Sequence, residues 1–154
     1  MILNTLKTKL IGIIIAAVIG GGALWAVSPY FTNTTIDEAL PASSIPKEQM
    51  MSLSASFVGV DDGIHDAAGH AMILSADGKR YLRFEDFSAT NGPDLYVYLS
   101  TDEKATEFVN LGRLKANNGN QNYEVPSDVD ISKYSKVLIW CKSFSVLFGS
   151  ADLV

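Results

Sequence analysis

Between Leu10 and Val27 the chain reads LIGIIIAAVIGGGALWAV, eighteen residues without a charge, and no acid or base follows before Asp37. A bilayer core of roughly 30 Å is crossed by about 20 apolar residues in a helix. The run therefore predicts a single transmembrane helix at 10–27, behind a short segment at 1–9. Lys7 and Lys9 precede it and no acid does, which places the N-terminus in the cytoplasm and everything after the helix outside. Trp25 and Tyr30 fall where interfacial rings anchor a span. A cleaved secretory signal competes, with Gly21 and Ala23 as small residues before a cut. The run exceeds the usual h-region of about 7–15 residues, which favours an uncleaved anchor. A buried core helix is disfavoured because the run has no polar face.

The remaining length suits one domain of about 100 residues. Charged residues make up 19% of the chain, below the usual one quarter or so, so the chain is not disordered throughout. The net charge is −5; without Lys7 and Lys9, ten bases face seventeen acids, and the exported part carries −7. That acidity excludes nucleic acid as a partner and does not favour anionic headgroups. A lone cysteine excludes an internal disulfide and any multi-cysteine metal or cluster site.

Residues 28–52 hold Pro29, Pro41 and Pro46 among many Ser and Thr, without a period, and predict a linker, with a helical turn at 46–50. Within it Asn33-Thr34-Thr35 is an N-glycosylation sequon. From residue 53 short apolar runs alternate with turn signals: strands are expected at 56–60, 71–75, 80–84, 95–99, 107–114, 121–125, 136–142 and 144–148. Asp77-Gly78 predicts a hairpin, Asn91-Gly92-Pro93-Asp94 a turn, Asp102–Thr106 a helical turn, and Asn117–Asn120 a second hairpin into 121–125. The expected fold is an all-β antiparallel sandwich or barrel-like domain at 53–154.

Cys141 ends the run Val137-Leu138-Ile139-Trp140-Cys141, in which both faces are apolar, so the pattern does not say which is the core. It reads either as an inert buried residue or, being unpaired in an oxidising compartment, as a redox thiol or ligand. His65 and His70, five apart in a glycine-bearing loop, are metal or heme-iron ligand candidates beside ordinary hydrogen-bonded histidines. No His or Met follows Cys141, which disfavours a blue-copper site. Asp61, Asp62 and Asp66 offer oxygens to calcium, but their spacing fits no EF-hand. Glu85, Asp86 and Asp94 are carboxylates of the acid–base type, and no P-loop, dinucleotide fingerprint or nucleophile elbow accompanies them. The metal, if any, is left undefined.

Four segments in order carry a resemblance: Gly59 to Gly69 with His65; Leu82 to Phe87 followed by Asn91-Gly92-Pro93-Asp94-Leu95-Tyr96-Val97-Tyr98-Leu99-Ser100; Leu111 to Lys115 with Asn118 to Pro126; and Val137 to Lys142 with Phe144 to Ala151. Together they resemble the DM13 domain, an extracellular β module often found beside DOMON domains. The resemblance covers about Ser56 to Val154. It implies an electron-transfer module in which Cys141 acts as a free thiol or holds a prosthetic group such as heme. His65 matches the family's histidine position and His70 does not. The implied protein is a redox accessory, tethered to the membrane and serving a redox or cell-envelope protein partner. A structural or adhesion module, or a metal-dependent binding domain using His65 and the Asp61/Asp62/Asp66 loop, are the alternatives.

Overall fold

A computed structural model describes residues 2–27, 32–41 and 51–153. They form two compact units, 1–32 and 33–154. The expected turn at 46–50, and Tyr30, lie outside the described residues.

In the first unit a helix, α1, spans Ile2–Val27 and so begins upstream of the uncharged run. Ile11, Ile13, Ile14, Ile15, Val18 and Ile19 are all exposed on it. The side chains described on α1 are Lys9 and those of residues 11–22, a shorter stretch than the about 20 residues of a span. Among the described residues, accordingly, no helix is long and apolar enough to cross a membrane. The helix expected over 10–27 is present, and its membrane span is not supported by these residues.

The second unit is β throughout. In chain order its strands are β1 Thr35–Asp37, β2 Met51–Ser56, β3 Val58–Gly59, β4 Ala67–Ala76, β5 Lys79–Ala89, β6 Leu95–Ser100, β7 Phe108–Arg113, β8 Asn118–Val125, β9 Lys136–Cys141 and β10 Val146–Asp152. They build two five-stranded sheets, β1-β8-β5-β4-β2 and β3-β10-β9-β6-β7. Leu82, Phe84 and Tyr123 from the first and Val97, Leu99 and Ile139 from the second share one core, so the domain is a sandwich.

Strand alternation is the cause. Leu95, Val97 and Leu99 on β6, and Val137, Ile139 and Cys141 on β9, all face that core. Asp77 and Gly78 close the β4–β5 hairpin with φ of 52° and 76°, the two left-handed dihedrals that a type I′ turn needs.

Two segments differ from expectation. Thr35–Asp37, placed in a linker by composition, pair in parallel with Asn118–Asn120 of β8. The fastening is non-local. Arg83, 4% exposed, donates to the Glu38 carbonyl (2.6 Å) and to Asn122 Oδ1 (3.0 Å). Glu38 in turn accepts from Lys115 Nζ (2.8 Å) and from the Asn122 N–H (2.7 Å).

Secondly, Asn117–Asn120 closes no hairpin, because β7 and β8 lie in different sheets. Gly119, with φ 94°, marks instead the close approach of β1: a Cβ there would lie 2.1 Å from the Ile36 carbonyl oxygen. The crossover is held by fully buried Gln121. Its Nε2 donates to the Ala116 carbonyl (2.8 Å), and its Oε1 accepts from the Tyr123 hydroxyl (2.6 Å). Smaller shifts occur elsewhere. Asp102–Thr106 is a loop rather than a helical turn, its Asp102 carboxylate accepting the Lys104 and Thr106 N–H groups. The strand expected from Phe144 starts at Val146, and Phe144 is 67% exposed.

Candidate functional site

The structure decides which face of β9 is the core: Cys141 points inward with Val137 and Ile139 and is 1% exposed. In register it lies opposite Leu95 of β6 and Val146 of β10. β10 also supplies Phe148, 4% exposed and part of the same core.

Phe148 is where the other motif residues arrive. The His65 ring packs on it at 4.4 Å between centroids. The turn Asn91–Asp94 also sits on it, since a Cβ at Gly92 would come within 2.9 Å of both the Phe148 ring and a Leu95 methyl. A side chain at position 92 would have to displace one of these, which is why glycine precedes Pro93 here. His65, the 91–94 turn, Leu95, Phe148 and Cys141 thus gather at one end of the sandwich. No sequence signal singled out Phe148, because an aromatic in a β pattern is read as ordinary core.

Polar groups rim this apolar seat. The Asp94 carbonyl accepts the Lys142 N–H at 3.0 Å, tying the turn to the residue after Cys141. The Asp94 carboxylate accepts from Ser143 Oγ (2.7 Å) and from Arg113 (2.5 Å). The Ser143 hydrogen bond first, opposed by desolvation and joined by Arg113 and Lys142, holds the Asp94 carboxyl below its ordinary pKa. Asp94 is therefore a carboxylate acceptor at neutral pH and not a group poised for acid–base work. Asn91 Nδ2 donates to Asn33 Oδ1 at 2.9 Å, as does Asn117 Nδ2 at 3.0 Å. The sequon asparagine is thus bound to the domain through its amide oxygen.

His65 is oriented by Asp62, whose carboxylate accepts from the His65 N–H (2.7 Å) and lies 2.6 Å from the ring Nδ1. The Asp62 pKa is lowered to about 2, first by the His65 backbone hydrogen bond, then by the His65 side chain and the Ile64 N–H. With Nδ1 donating to this carboxylate, Nε2 is the ring nitrogen left to meet a ligand.

The other nominated residues do not join. His70 is exposed on β4 and meets Ser56 Oγ at 3.2 Å. The Asp66 N–H bonds Thr90 Oγ1, and Asp61 is exposed. Among the described residues no three His, Cys, Asp or Glu side chains are grouped to hold a metal ion.

No curated protein and no solved structure matches the chain. A family model described as "Electron transfer DM13" matches residues 57–153, from the buried Phe57 before β3 to the end of the domain. That match takes in well over half of the 154 residues, including His65, the 91–94 turn, Cys141 and Phe148, and the chain belongs to the DM13 family.

Proposed function

We propose that this protein is a membrane-tethered, extracytoplasmic electron-transfer accessory whose redox group is the Cys141 thiol. One observation carries the reading. The chain's single thiol lies in the core where the His65 loop, the 91–94 turn and β10 converge, all within the family match. A heme held by Cys141, which the family allows, does not fit this packing. Cys141 is 1% exposed between its register partners Leu95 and Val146, with no open face for a macrocycle, so the proposal is confined to the thiol. The partner is a redox protein of the cell envelope. It reaches the sulfur when the 91–94 turn lifts from its seat.

Tethering rests on the uncharged run 10–27 and the lysines before it, together with the exposed isoleucines of α1. The N-terminus is then cytoplasmic and the β domain outside. Protease protection of the β domain in sealed spheroplasts would refute this orientation.

For the thiol, the folded full-length protein is treated with oxidised glutathione and with a maleimide. Slow, reversible oxidation that is absent in Cys141→Ala supports the reading. A thiol that stays inert until the domain unfolds overturns it. The burial of Cys141 favours a second reading, a structural or adhesion module in which the thiol is only packing. Under that reading Cys141→Ala changes stability and leaves partner capture intact.

A further inference from the structure

We propose that the outer face of the β3-β10-β9-β6-β7 sheet carries a binding cleft for a small, flat aromatic anion. This site is separate from the Cys141 seat. Strand alternation sends Trp140, next to Cys141 on β9, to the opposite face of the sheet.

A cleft of about 590 Å³ opens there, within the usual range for small-molecule sites. Tyr98 forms its floor, 2% exposed. Phe108 stacks on Tyr98 at 4.2 Å and 16°, and Trp140 lies 6.5 Å away, inclined 28° to the same ring. The stacked Phe108–Tyr98 pair with Trp140 beside it makes an aromatic wall that suits another flat ring. Phe108 is 44% exposed, so the wall is open to a ligand.

The charge around this wall is unusual for the domain. In the β domain, among the described residues, Lys79, Arg83, Arg113, Lys115, Lys133 and Lys136 each have a carboxylate partner. Arg80 is spent on the carbonyls of Pro126, Ser127 and Val129. Among the described residues Lys104 and Lys142 have neither a carboxylate nor a carbonyl partner, although Lys142 Nζ lies over the Tyr96 ring at 5.3 Å, and both line this cleft. The acids that feel them are committed: Asp102 to the Lys104 and Thr106 N–H groups, and Asp94 to Arg113 and Ser143. Glu103, also on the cleft, is held by Lys136 and Ser150.

In a domain of net charge −7, two ammonium groups with no carboxylate partner beside stacked rings, one of them already resting on the Tyr96 ring, select an anion with an aromatic body. A neutral sugar fits less well. It would need paired amide and carboxylate groups, and the lining offers no amide and one carboxylate, Glu103, already held by Lys136 and Ser150.

The test uses the full chain with Trp25→Phe, which leaves Trp140 as the one indole. Trp140 fluorescence is titrated with anthraquinone-2-sulfonate and with the uncharged 2-(hydroxymethyl)anthraquinone. Saturable one-site quenching by the sulfonate is expected, at least about tenfold weaker for the neutral compound and for Lys104→Met/Lys142→Met. Cys141→Ser should bind as the parent does, which separates this proposal from the thiol reading. Absence of saturable binding, equal affinity for the neutral compound, or parental affinity in the double variant each overturns it. Lysine-dependent binding of polyglutamate without binding of the sulfonate also overturns it, and assigns the cleft to an acidic peptide.

Discussion

Gly92→Ala is the sharpest probe of the Cys141 seat. The added methyl would lie within 2.9 Å of both the Phe148 ring and a Leu95 methyl. Both contacts are side-chain ends, so they yield partly. Yet Leu95 is 8% exposed, Phe148 is 4% exposed, and His65 closes over the latter ring, so they cannot swing clear. Overpacking of this kind costs ~1–2 kcal/mol, toward the lower end of the observed range. If the strain falls on the turn, the open state that admits reagent to Cys141 becomes more populated by a factor of about 5–30. The assay is maleimide labelling of the folded protein, in the regime where the rate follows the opening equilibrium; one cysteine makes the signal unambiguous. Gly78→Ala is the control. Its φ of 76° also strains an alanine, but nothing lies within 4 Å of the added carbon, and it sits in the β4–β5 hairpin. Faster labelling in Gly92→Ala alone is expected. Equal rates in the parent, Gly92→Ala and Gly78→Ala would refute the idea that this turn roofs the thiol.

Three further outcomes follow from the same geometry. Gly119→Ala places a methyl 2.1 Å from the Ile36 oxygen on a φ of 94°, and should cost ~2–4 kcal/mol through strain and loss of β1 pairing; an unchanged urea midpoint would mean that 35–37 contributes nothing to the domain. Gln121→Ala removes the acceptor of the Tyr123 O–H, which keeps only the Lys115 N–H as a partner, and strands the Ala116 carbonyl in the core, and a loss of ~2–4 kcal/mol by the same measurement is expected. Because the folded pKa of Asp62 is depressed from 3.8 to about 2, its support of the His65 loop is present above about pH 4 and fades as pH falls toward 2. The ring-current shift of His65 against Phe148 should persist at pH 4, and its loss centred there would count against the Asp62 contact.

Much of the sandwich was legible because its strands obey period-two alternation. Asp77-Gly78, Leu95–Leu99 and Lys136–Cys141 all lie where the pattern puts them. β1 was not legible, since three residues carry no period and are held by Arg83 and Lys115, more than forty positions away in sequence. Arg83 illustrates the cause. Alternation correctly turns it away from the core, yet it is 4% exposed because the chain around Glu38 and Ala39 covers it. Gly119 misled in the same way: a glycine beside asparagines signals a turn, and only the neighbouring strand reveals that it serves a close approach. At the site, Cys141, His65 and the 91–94 turn were all named from sequence. Their meeting point, Phe148, was not, because side-chain packing across two sheets leaves no local signature.

A buried thiol can serve redox chemistry only if the barrier to reaching it is set in the right place. The 91–94 turn, joined to the residue after Cys141 by the Asp94–Lys142 hydrogen bond, has two kinds of contact. At its rim Asp94 binds Arg113 and Ser143, where Arg113 is 65% exposed and water competes for every bond. At its base Gly92 rests on Leu95 and Phe148, where nothing competes. The apolar base should therefore govern opening, and the rim should fix only the turn's orientation. Asp94→Asn keeps the shape and removes the charge, so it should accelerate maleimide labelling of Cys141 far less than Gly92→Ala does. Thermal denaturation of both variants distinguishes local opening from global loss of stability. If Asp94→Asn accelerates labelling more than Gly92→Ala at equal stability, the latch is electrostatic, and access to the thiol would respond to salt rather than to packing.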